Sequence, residues 1–516
     1  MKNAFLKASG AILAIIVVGG LVTYNLVPPG PAAESGRPAQ EAPEPDLSPD
    51  RGTVTYASDD AYGRVSYTGD LVNGQLVGQG VMTWKNGDRY EGQWRGGRMH
   101  GRGTLTYAPD DERGRDAYTG GFVDGRRSGE GTLIWKNGPK YEGQWRDDQR
   151  HGRGRLIEAT GQVRYDGDFT ADRIQGRGTA YYLPDDYLER VSYAGDFVNG
   201  KHQGRGTMTW KNGRKYEGPW LNDQPHGHGV MTYGPDDDRK RVSYTGDFVN
   251  GRRQGQGTLI WKDGGRYEGQ WRDDDLNGRG VLTSPPGFTG ALVYEGEFAN
   301  GRREGRGVSI WPSGQKYEGQ WKNDVRSGQG TLWWADDDKY EGQWRDDGMN
   351  GSGVRTYAPG DPRESHAGEY RNSLRHGQGV MIWRDGQKYD GQFYSGRMQG
   401  RGELTFQPGD SRAAYIGEFE NDRLHGQGLL IWKNGQKYKG RFQDSRMNGR
   451  GTLTFPPGDL RESYAGEFEG DRFHGQGVLT WRDGRRDEGF WQDNARAENE
   501  AGGRTPFSVI IPEQAP

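Results

Sequence analysis

One short phrase recurs along this 516-residue chain and limits what the chain can fold into. It consists of an aromatic residue, any residue, glycine, any residue and a second aromatic residue, as in Tyr90-Glu91-Gly92-Gln93-Trp94. Ten residues after a start comes x-Gly-x-Gly, followed by a segment such as GTLTY or GTLIW. Self-similarity on this scale predicts a quasi-one-dimensional array of small units rather than a few globular domains. The sequence contains 18 starts, two of which replace the first aromatic residue by His366 and Asp487; the others are Tyr67, Tyr90, Tyr118, Tyr141, Tyr165, Tyr193, Tyr216, Tyr244, Tyr267, Tyr294, Tyr317, Tyr340, Tyr389, Tyr415, Tyr438 and Tyr464.

The spacing of the starts shows that the larger unit is a pair of phrases. Most steps alternate between 23 residues and 26 to 28 residues, so a pair spans about 50 residues. Tryptophan keeps this register, because of the 17 tryptophans only Trp333 lies neither four nor 17 residues after a start. The array therefore extends from about residue 51 to residue 494.

Alternation within each phrase predicts strands with two different faces. Side chains alternate along a strand, so Tyr90, Gly92 and Trp94 share one face while Glu91 and Gln93 share the other. Asn-Gly and Asp-Gly in the WKNG and WRDG segments, and the Gly-x-Gly between the strands, are typical hairpin turn signals. We expect an all-β, elongated, single-layer antiparallel meander of hairpins, with glycine leaving room for neighbouring rings over bare backbone. Its length would reach about 170 Å at two strand spacings per hairpin.

These phrases resemble the MORN (membrane occupation and recognition nexus) repeat. The resemblance rests on YEGQW, on HGxG and on the following GxLxW or GxLxY segment, and it covers about 440 of the 516 residues. It implies an elongated hairpin rod or groove, often dimeric, that acts as a scaffold or adaptor, with lipid contact proposed for some members. The paired unit with long loops departs from the plain 23-residue pattern, and no enzymatic domain is fused to the repeats.

The first 27 residues predict a membrane anchor. Lys2 and Lys7 precede an uncharged run of 20 residues, 8–27, which gives about 30 Å of helix, enough to cross a hydrocarbon core. A cleaved signal peptide is the alternative, but its apolar region is usually shorter and Pro31-Ala32-Ala33 is a mediocre cleavage site. The positive-inside rule places the N-terminus in the cytoplasm and the repeats outside it, in the periplasm if the source is a Gram-negative bacterium.

Two further segments flank the array. Residues 28–50 contain seven prolines among 23 residues, which predicts an extended, disordered linker. Residues 495–516 form a tail that is either a cap or disordered. The predicted organisation is therefore an anchor over 1–27, a linker over 28–50, the repeat array over 51–494 and the tail.

Composition excludes several functional classes. The chain has 69 basic and 72 acidic residues, which leaves no polybasic footprint for nucleic acid. It has no cysteine, so neither disulfides nor thiolate chemistry are available. Only 31% of residues are hydrophobic and the mean hydropathy is -1.03, which disfavours a set of thick cores packed from aliphatic side chains.

The candidate chemical residues are repeated, and repetition argues against a unique site. Six histidines head an HGxG segment, but His376, His425 and His474 lie two hairpins apart, about 19 Å, whereas zinc ligands lie about 2 Å from the metal. The acidic long loops, such as PDDERGRD from Pro109, raise the question of calcium, but a solvated turn with a local Asp–Arg contact is the simpler interpretation. The glutamates of YEG are equivalent to one another. We therefore predict no catalytic, cofactor-binding or metal-binding residue and no enzyme.

The predicted function is a membrane-tethered scaffold that presents a repetitive surface to protein partners and forms a homodimer. A single-layer sheet with an aromatic face would expose more apolar surface than a monomer tolerates, so we expect another chain or a ligand to cover it. The alternative is a glycan-binding or cell-wall-binding rod, and lipid binding by the repeats is a third hypothesis. The predicted binding residues on the aromatic face are Tyr90, Trp94, Tyr141, Trp145, Tyr267, Trp271, Tyr317, Trp321, Tyr340 and Trp344.

Overall fold

A computed structural model describes residues 49–497 of the protein. The anchor predicted over 1–27, nearly all of the linker and the tail from residue 498 lie outside the described residues. Within 49–497 there is no helix long and apolar enough to cross a membrane.

The described chain consists of 38 short strands joined by turns and loops. Strands of seven to ten residues dominate because aromatic and β-branched residues alternate with polar ones at a period of two. In chain order the strands are β1 (Asp50–Thr55), β2 (Arg64–Val72), β3 (Gln75–Trp84), β4 (Arg89–Arg95), β5 (Arg98–Thr106), β6 (Arg115–Val123), β7 (Arg126–Trp135), β8 (Lys140–Arg146), β9 (Gln149–Ile157), β10 (Val163–Thr170), β11 (Arg173–Tyr181), β12 (Arg190–Val198), β13 (Lys201–Trp210), β14 (Lys215–Leu221), β15 (Gln224–Pro225), β16 (Gly227–Thr232), β17 (Arg241–Val249), β18 (Arg252–Trp261) and β19 (Arg266–Arg272). They continue with β20 (Asp275–Thr283), β21 (Val293–Ala299), β22 (Arg302–Ile310), β23 (Lys316–Lys322), β24 (Val325–Trp333), β25 (Lys339–Arg345), β26 (Gly348–Thr356), β27 (Arg363–Arg371), β28 (Leu374–Trp383), β29 (Lys388–Tyr394), β30 (Arg397–Thr405), β31 (Arg412–Glu420), β32 (Arg423–Trp432), β33 (Lys437–Gln443), β34 (Arg446–Thr454), β35 (Arg461–Glu469), β36 (Arg472–Trp481), β37 (Arg486–Gln492) and β38 (Ala495–Arg496).

With one exception at β15 and β16, each strand pairs antiparallel with the strand that follows it in the chain, which produces one open meander. The pairing runs from β1 with β2 to β37 with β38, and β14 pairs with both β15 and β16 around His226. Facing glycines run across the whole sheet, for example Gly92 opposite Gly103 and Gly103 opposite Gly120. The prediction of an all-β antiparallel meander of hairpins is confirmed.

The two edges of the ribbon carry different connections. One edge has two-residue turns such as Asn73-Gly74, whose φ angles of 49° and 75° suit the right-handed twist of the flanking strands. The other edge alternates between the WKNG-type turns and longer loops, for example residues 107–114. This alternation is the structural basis of the paired repeat unit.

The Gly-x-Gly segment lies inside a strand, so its assignment as a turn signal is wrong. Gly78 and Gly80 both belong to β3, where Gly78 has a φ of 53°. At Gly78 a Cβ atom would lie 2.4 Å from Oδ2 of Asp70, and that same oxygen accepts a hydrogen bond of 2.7 Å from the Gln79 backbone N–H. The first glycine is therefore needed at an irregularity in the ladder, where backbone conformation and space both favour a residue without a side chain.

The buried residues form two clusters along the ribbon. The first cluster contains buried residues from Tyr67 to Tyr370, and we call it the N-terminal segment. The second contains buried residues from Tyr357 to Trp491, and we call it the C-terminal segment; the two clusters interleave between residues 357 and 370. Their boundary lies around His366 in β27, where a histidine occupies the position of the first aromatic residue.

Candidate protein-binding surface

The aromatic residues form a continuous ladder along one face of the sheet. The Tyr90 ring packs edge-on against Trp94 of its own strand at 5.2 Å and against Phe122 of the next hairpin at 5.0 Å. The same two contacts recur at successive hairpins, up to Tyr464 with Trp491. Because such pairs contribute about 0.5–1.5 kcal/mol each beyond the area they bury, the ladder holds neighbouring hairpins together.

Each tyrosine of the ladder lies over a pair of glycines. The Tyr90 hydroxyl donates a hydrogen bond of 3.0 Å to the backbone carbonyl of Gln93. A Cβ atom added to Gly92 or Gly103 would lie 2.5 or 2.3 Å from that hydroxyl oxygen, so any larger residue would displace the ring. Burial raises the pKa of Tyr90 to about 12, and the phenol stays protonated as a donor.

The tryptophans add a hydrogen bond between hairpins. The indole Nε1–H of Trp94 donates to the carbonyl of Gly80 at 3.1 Å, and that of Trp271 donates to the carbonyl of Gly257 at 3.0 Å. These carbonyls belong to the preceding strand of the ribbon, which places each indole across two strands.

A second row of side chains covers the ladder, nine residues after each start. Its members differ in polarity and share only length, as Met99, Arg127, His202 and Phe473 show. Arg127 lies 4.1 Å above the Trp145 ring, and its Nε donates to Asp148 at 3.1 Å. The guanidinium thus remains paired while its stem covers the rings.

The ten predicted binding residues are buried in this ladder. The five tyrosines are 0% exposed and the five tryptophans are at most 5% exposed. The cover comes from the same chain, through the row just described, rather than from a second chain or a ligand. Sequence reasoning missed this row because arginine, methionine, leucine and other residue types share the position, so no single type marks it. A role of these rings in binding stays a prediction.

The opposite, polar face contains an open groove with a volume of about 860 Å³. It runs across β18 to β25, and glycines such as Gly280 and Gly307 form its floor. Its walls carry Glu268, Glu295 and Arg306. Ion pairs such as Glu318 with Lys316 at 2.9 Å leave the two signs of charge interspersed along it. The sequence gives no signal for this position, because the phrases that form it are like all the others.

The acidic loops are held by local ion pairs. In the loop 107–114, Arg115 pairs with Asp111 at 2.6 Å and lies 3.9 Å above the Tyr107 ring. Hydrogen bonds from this guanidinium lower the pKa of Asp111 to about 2. The predicted Asp–Arg contact is confirmed, but its spacing is two residues only in the later loops and four residues here. Within residues 49–497 no group of side chains has the arrangement of a metal site.

His366 occupies a tyrosine position of the ladder and is fully buried. Its Nδ1 lies 2.8 Å from the hydroxyl of Tyr370, and its ring packs edge-on against Phe393 at 4.9 Å. Burial lowers the pKa of His366 to about 3, and nearby Arg375 acts in the same direction. The imidazole is therefore neutral at pH 7.

Comparison with known protein families decides the identity of the repeats. The profile of the MORN repeat matches 17 consecutive segments between residues 67 and 485. The chain belongs to the MORN repeat family. The matched segments are 67–89, 90–112, 118–140, 141–163, 165–182, 193–213, 216–237, 244–266, 267–289, 294–316, 317–339, 340–361, 366–388, 389–411, 415–437, 438–460 and 464–485. Seventeen of the 18 predicted starts open a matched MORN segment, and the exception is Asp487.

Two MORN relatives share part of this array. Human alsin is 31% identical over 234 residues, which is 45% of this chain and 12% of alsin. MORN repeat-containing protein 3 of Xenopus laevis is 36% identical over 75 residues, which is 13% of this chain and 30% of that protein. The chain therefore spans much less than half of either relative. Among solved structures, the SAS-4 TCP domain of Drosophila melanogaster covers 36% of this chain, and 83% of that domain is covered, with 11% identity and a TM-score of 0.19.

Proposed function

We propose that this MORN repeat protein is a non-enzymatic scaffold that binds protein partners on its polar face. The observation that supports this most is the open groove across β18 to β25, since the aromatic face is occupied by the chain's own side chains. A floor of glycines lets a partner approach the backbone closely. Charges of both signs on the walls can fix the position of the partner along the groove without a strong net electrostatic potential.

The ladder makes the surface stiff, which suits a scaffold. Each hairpin contacts only its neighbours through paired strands and edge-on rings, so partners bound at different hairpins would be held at fixed separations. This geometry needs no single reactive residue.

We also propose that the scaffold is tethered to a membrane by the uncharged run 8–27, with the repeats on the extracytoplasmic side. The support is the sequence pattern alone: two lysines before the run and acidic residues after it. Self-association is part of the same proposal.

Proximity labelling from a ligase fused after residue 516 tests both parts in intact cells. We expect a small set of extracytoplasmic proteins to be labelled, and we expect the charge reversals Glu295→Lys with Arg306→Glu on the groove walls to lose part of that set. As a matched control, Glu91→Lys with Arg102→Glu makes the same changes at the equivalent positions of the Tyr90 unit, outside the groove. Equal loss in both variants would contradict groove binding, and labelling of cytoplasmic proteins would contradict the topology.

The glycan-binding alternative depended on exposed aromatic platforms. Burial of all ten predicted rings removes that support, although the hypothesis stays untested. Retention of the full chain on insoluble peptidoglycan would revive it. Lipid binding by the repeats is likewise untested, and the near balance of 69 basic and 72 acidic residues gives it no support.

A further inference from the structure

The two ends of the described ribbon are complementary halves of one strand. In every complete hairpin, the second strand begins eight residues after the start and continues to about residue 16 or 17 of the unit, as β5 does after Tyr90. After the last start, Asp487, the chain supplies only the beginning of that strand, β38, which consists of Ala495 and Arg496.

The missing part of that strand is present at the other end of the molecule. The sequence Arg51-Gly52-Thr53-Val54-Thr55-Tyr56 matches Arg102-Gly103-Thr104-Leu105-Thr106-Tyr107 of β5 in register. In β1 it pairs on one side only, with Gly52 opposite Gly69 and Val54 opposite Tyr67. Counted from a start, Ala497 stands at residue 10 and Asp50 at residue 11 of the unit, so the two halves neither overlap nor leave a gap.

Both backbone edges lack a partner within residues 49–497. The pairing of β37 with β38 covers only Trp491 and Gln492, which leaves Arg486 to Gly489 paired on one side, with β36. Position 500 is glutamate where other units have the second glycine of Gly-x-Gly, so the sequence of the tail does not repeat the missing half. An unpaired strand edge is a template for another strand.

We infer that a second copy of this chain supplies the missing half, so that β1 of one copy pairs with β37 of the next. The register follows from the repeat: Val54 faces Asp487, Thr53 faces Glu488 and Gly52 faces Gly489, as Leu105, Thr104 and Gly103 face the phrase of β4. The resulting contact is head to tail, and a contact of this type extends into a linear assembly unless it closes into a ring.

Asp487 limits the strength of this contact. Every other start except His366 is tyrosine, and each such ring lies over a glycine of its own strand and one of the next strand. At the last start, Asp487 instead accepts a hydrogen bond from Trp481 Nε1 at 3.0 Å, and Arg496 lies over Gly489. A tyrosine there would be exposed in an isolated chain and buried over Gly489 and the partner's Gly52. The carboxylate therefore keeps the assembly weak, in the way that charged residues protect sheet edges.

This inference rests on the self-association proposed above and not on the partner-binding groove. The chain has no cysteine, so paired cysteines can report the contact in the full-length protein. Facing side chains of antiparallel strands have Cβ atoms about 4.5–5.5 Å apart, close enough for a disulfide after a small adjustment. We expect a mixture of Val54→Cys chains with Asp487→Cys chains to form a disulfide-linked dimer under mild oxidation, and neither variant alone to do so.

The control moves one of the two cysteines by a single residue, which places it on the other face of the sheet. Val54→Cys mixed with Glu488→Cys places the thiols on opposite faces and should give less than about a tenth of the product, whereas Thr53→Cys with Glu488→Cys should restore it. In the double variant Val54→Cys/Asp487→Cys we expect a series of disulfide-linked multimers of increasing size. A fast-migrating monomer would indicate closure within one chain and overturn the inference.

A second measurement avoids any dependence on disulfide geometry. Asp487→Tyr should strengthen self-association about tenfold in sedimentation equilibrium, since it adds a buried ring to the contact. Unchanged association together with absent cross-links would overturn the inference. If dimers are nevertheless present, self-association uses another surface; if the chain is monomeric, the self-association proposal fails while groove binding is still tested by proximity labelling.

Discussion

The N-terminal and C-terminal segments have the same backbone frame but different side chains around it. In the N-terminal segment the second position of the phrase holds tryptophan or phenylalanine in all units but the first and the last, which have Leu71 and Tyr370, and arginines such as Arg253 form part of the cover. In the C-terminal segment that ring is phenylalanine from Phe393 to Phe468 and then Trp491, and the cover between Arg375 and Arg496 is apolar, as at Met447. The comparison shows that the facing glycines and tyrosines define the fold, whereas the surrounding rows can be polar or apolar.

The largest expected effect is one that the two segments should share. Tyr267→Ala and Tyr438→Ala each remove a ring that is 0% exposed and lies over two glycines. We expect either change to lower the free energy of unfolding by about 3–5 kcal/mol, as for other buried aromatic residues. Urea unfolding with hydrogen exchange on the flanking strands measures this. A loss in one segment of less than half that in the other would show that the frame is not equivalent.

The next effect concerns the boundary between the segments. Because the pKa of His366 is about 3 in the folded chain and about 6.5 when unfolded, the unfolded state binds the extra proton. Stability is therefore complete above about pH 6.5 and falls as the pH decreases towards 3.

Replacing this histidine tests the boundary directly. Between pH 7 and pH 4.5 we expect the wild-type chain to lose about 2 kcal/mol that His366→Tyr retains. His202→Met is the comparison variant: burial also lowers the pKa of His202, to about 4, although Asp223 at 3.2 Å acts in the opposite direction, so we expect this variant to recover a smaller part of the loss. Hydrogen exchange of β26 to β28 at both pH values locates the change. Parallel losses in the wild type and His366→Tyr would assign the acid sensitivity elsewhere.

A smaller effect should distinguish the two kinds of second ring. Trp271→Phe removes the indole donor and leaves the Gly257 carbonyl without its partner, so we expect a loss of about 1–2 kcal/mol. Phe442→Trp makes the reciprocal change beside Gly428 and should stay within about 1 kcal/mol of the wild type. Urea unfolding of both variants checks the pair. A larger loss in Phe442→Trp would mean that space, rather than hydrogen bonding, separates the segments.

The smallest effect concerns the covering row. Arg253 donates to Asp274 at 2.9 Å, but the carboxylate is 47% exposed and therefore screened by solvent. Arg253→Met should cost less than about 1 kcal/mol at low salt and less still in 1 M salt. The reciprocal variant is Met447→Arg. The backbone N–H of Met447 already donates to Asp471, so the new guanidinium would have a carboxylate nearby, and the change should also be tolerated. Thermal unfolding at the two salt concentrations measures both, and a loss above 2 kcal/mol would give the cover a larger role.

Sequence reasoning predicted the fold well because the ladder repeats in residue type. The starts, the alternation of faces and the hairpin order are all readable from Tyr90, Gly92 and Trp94 and their equivalents. It failed at Gly78, since a glycine needed for positive φ inside a strand looks the same as a turn glycine. It also missed the covering row, because several residue types share that position, and the groove, because the phrases that form it are like those elsewhere in the array.

Contact between sequential neighbours alone has a consequence for how such a molecule can vary. Duplicating or deleting one hairpin would move the ends by about 9.5 Å and leave every remaining interface intact. The length of the array can therefore change in fixed increments while the packing within the remaining hairpins stays the same.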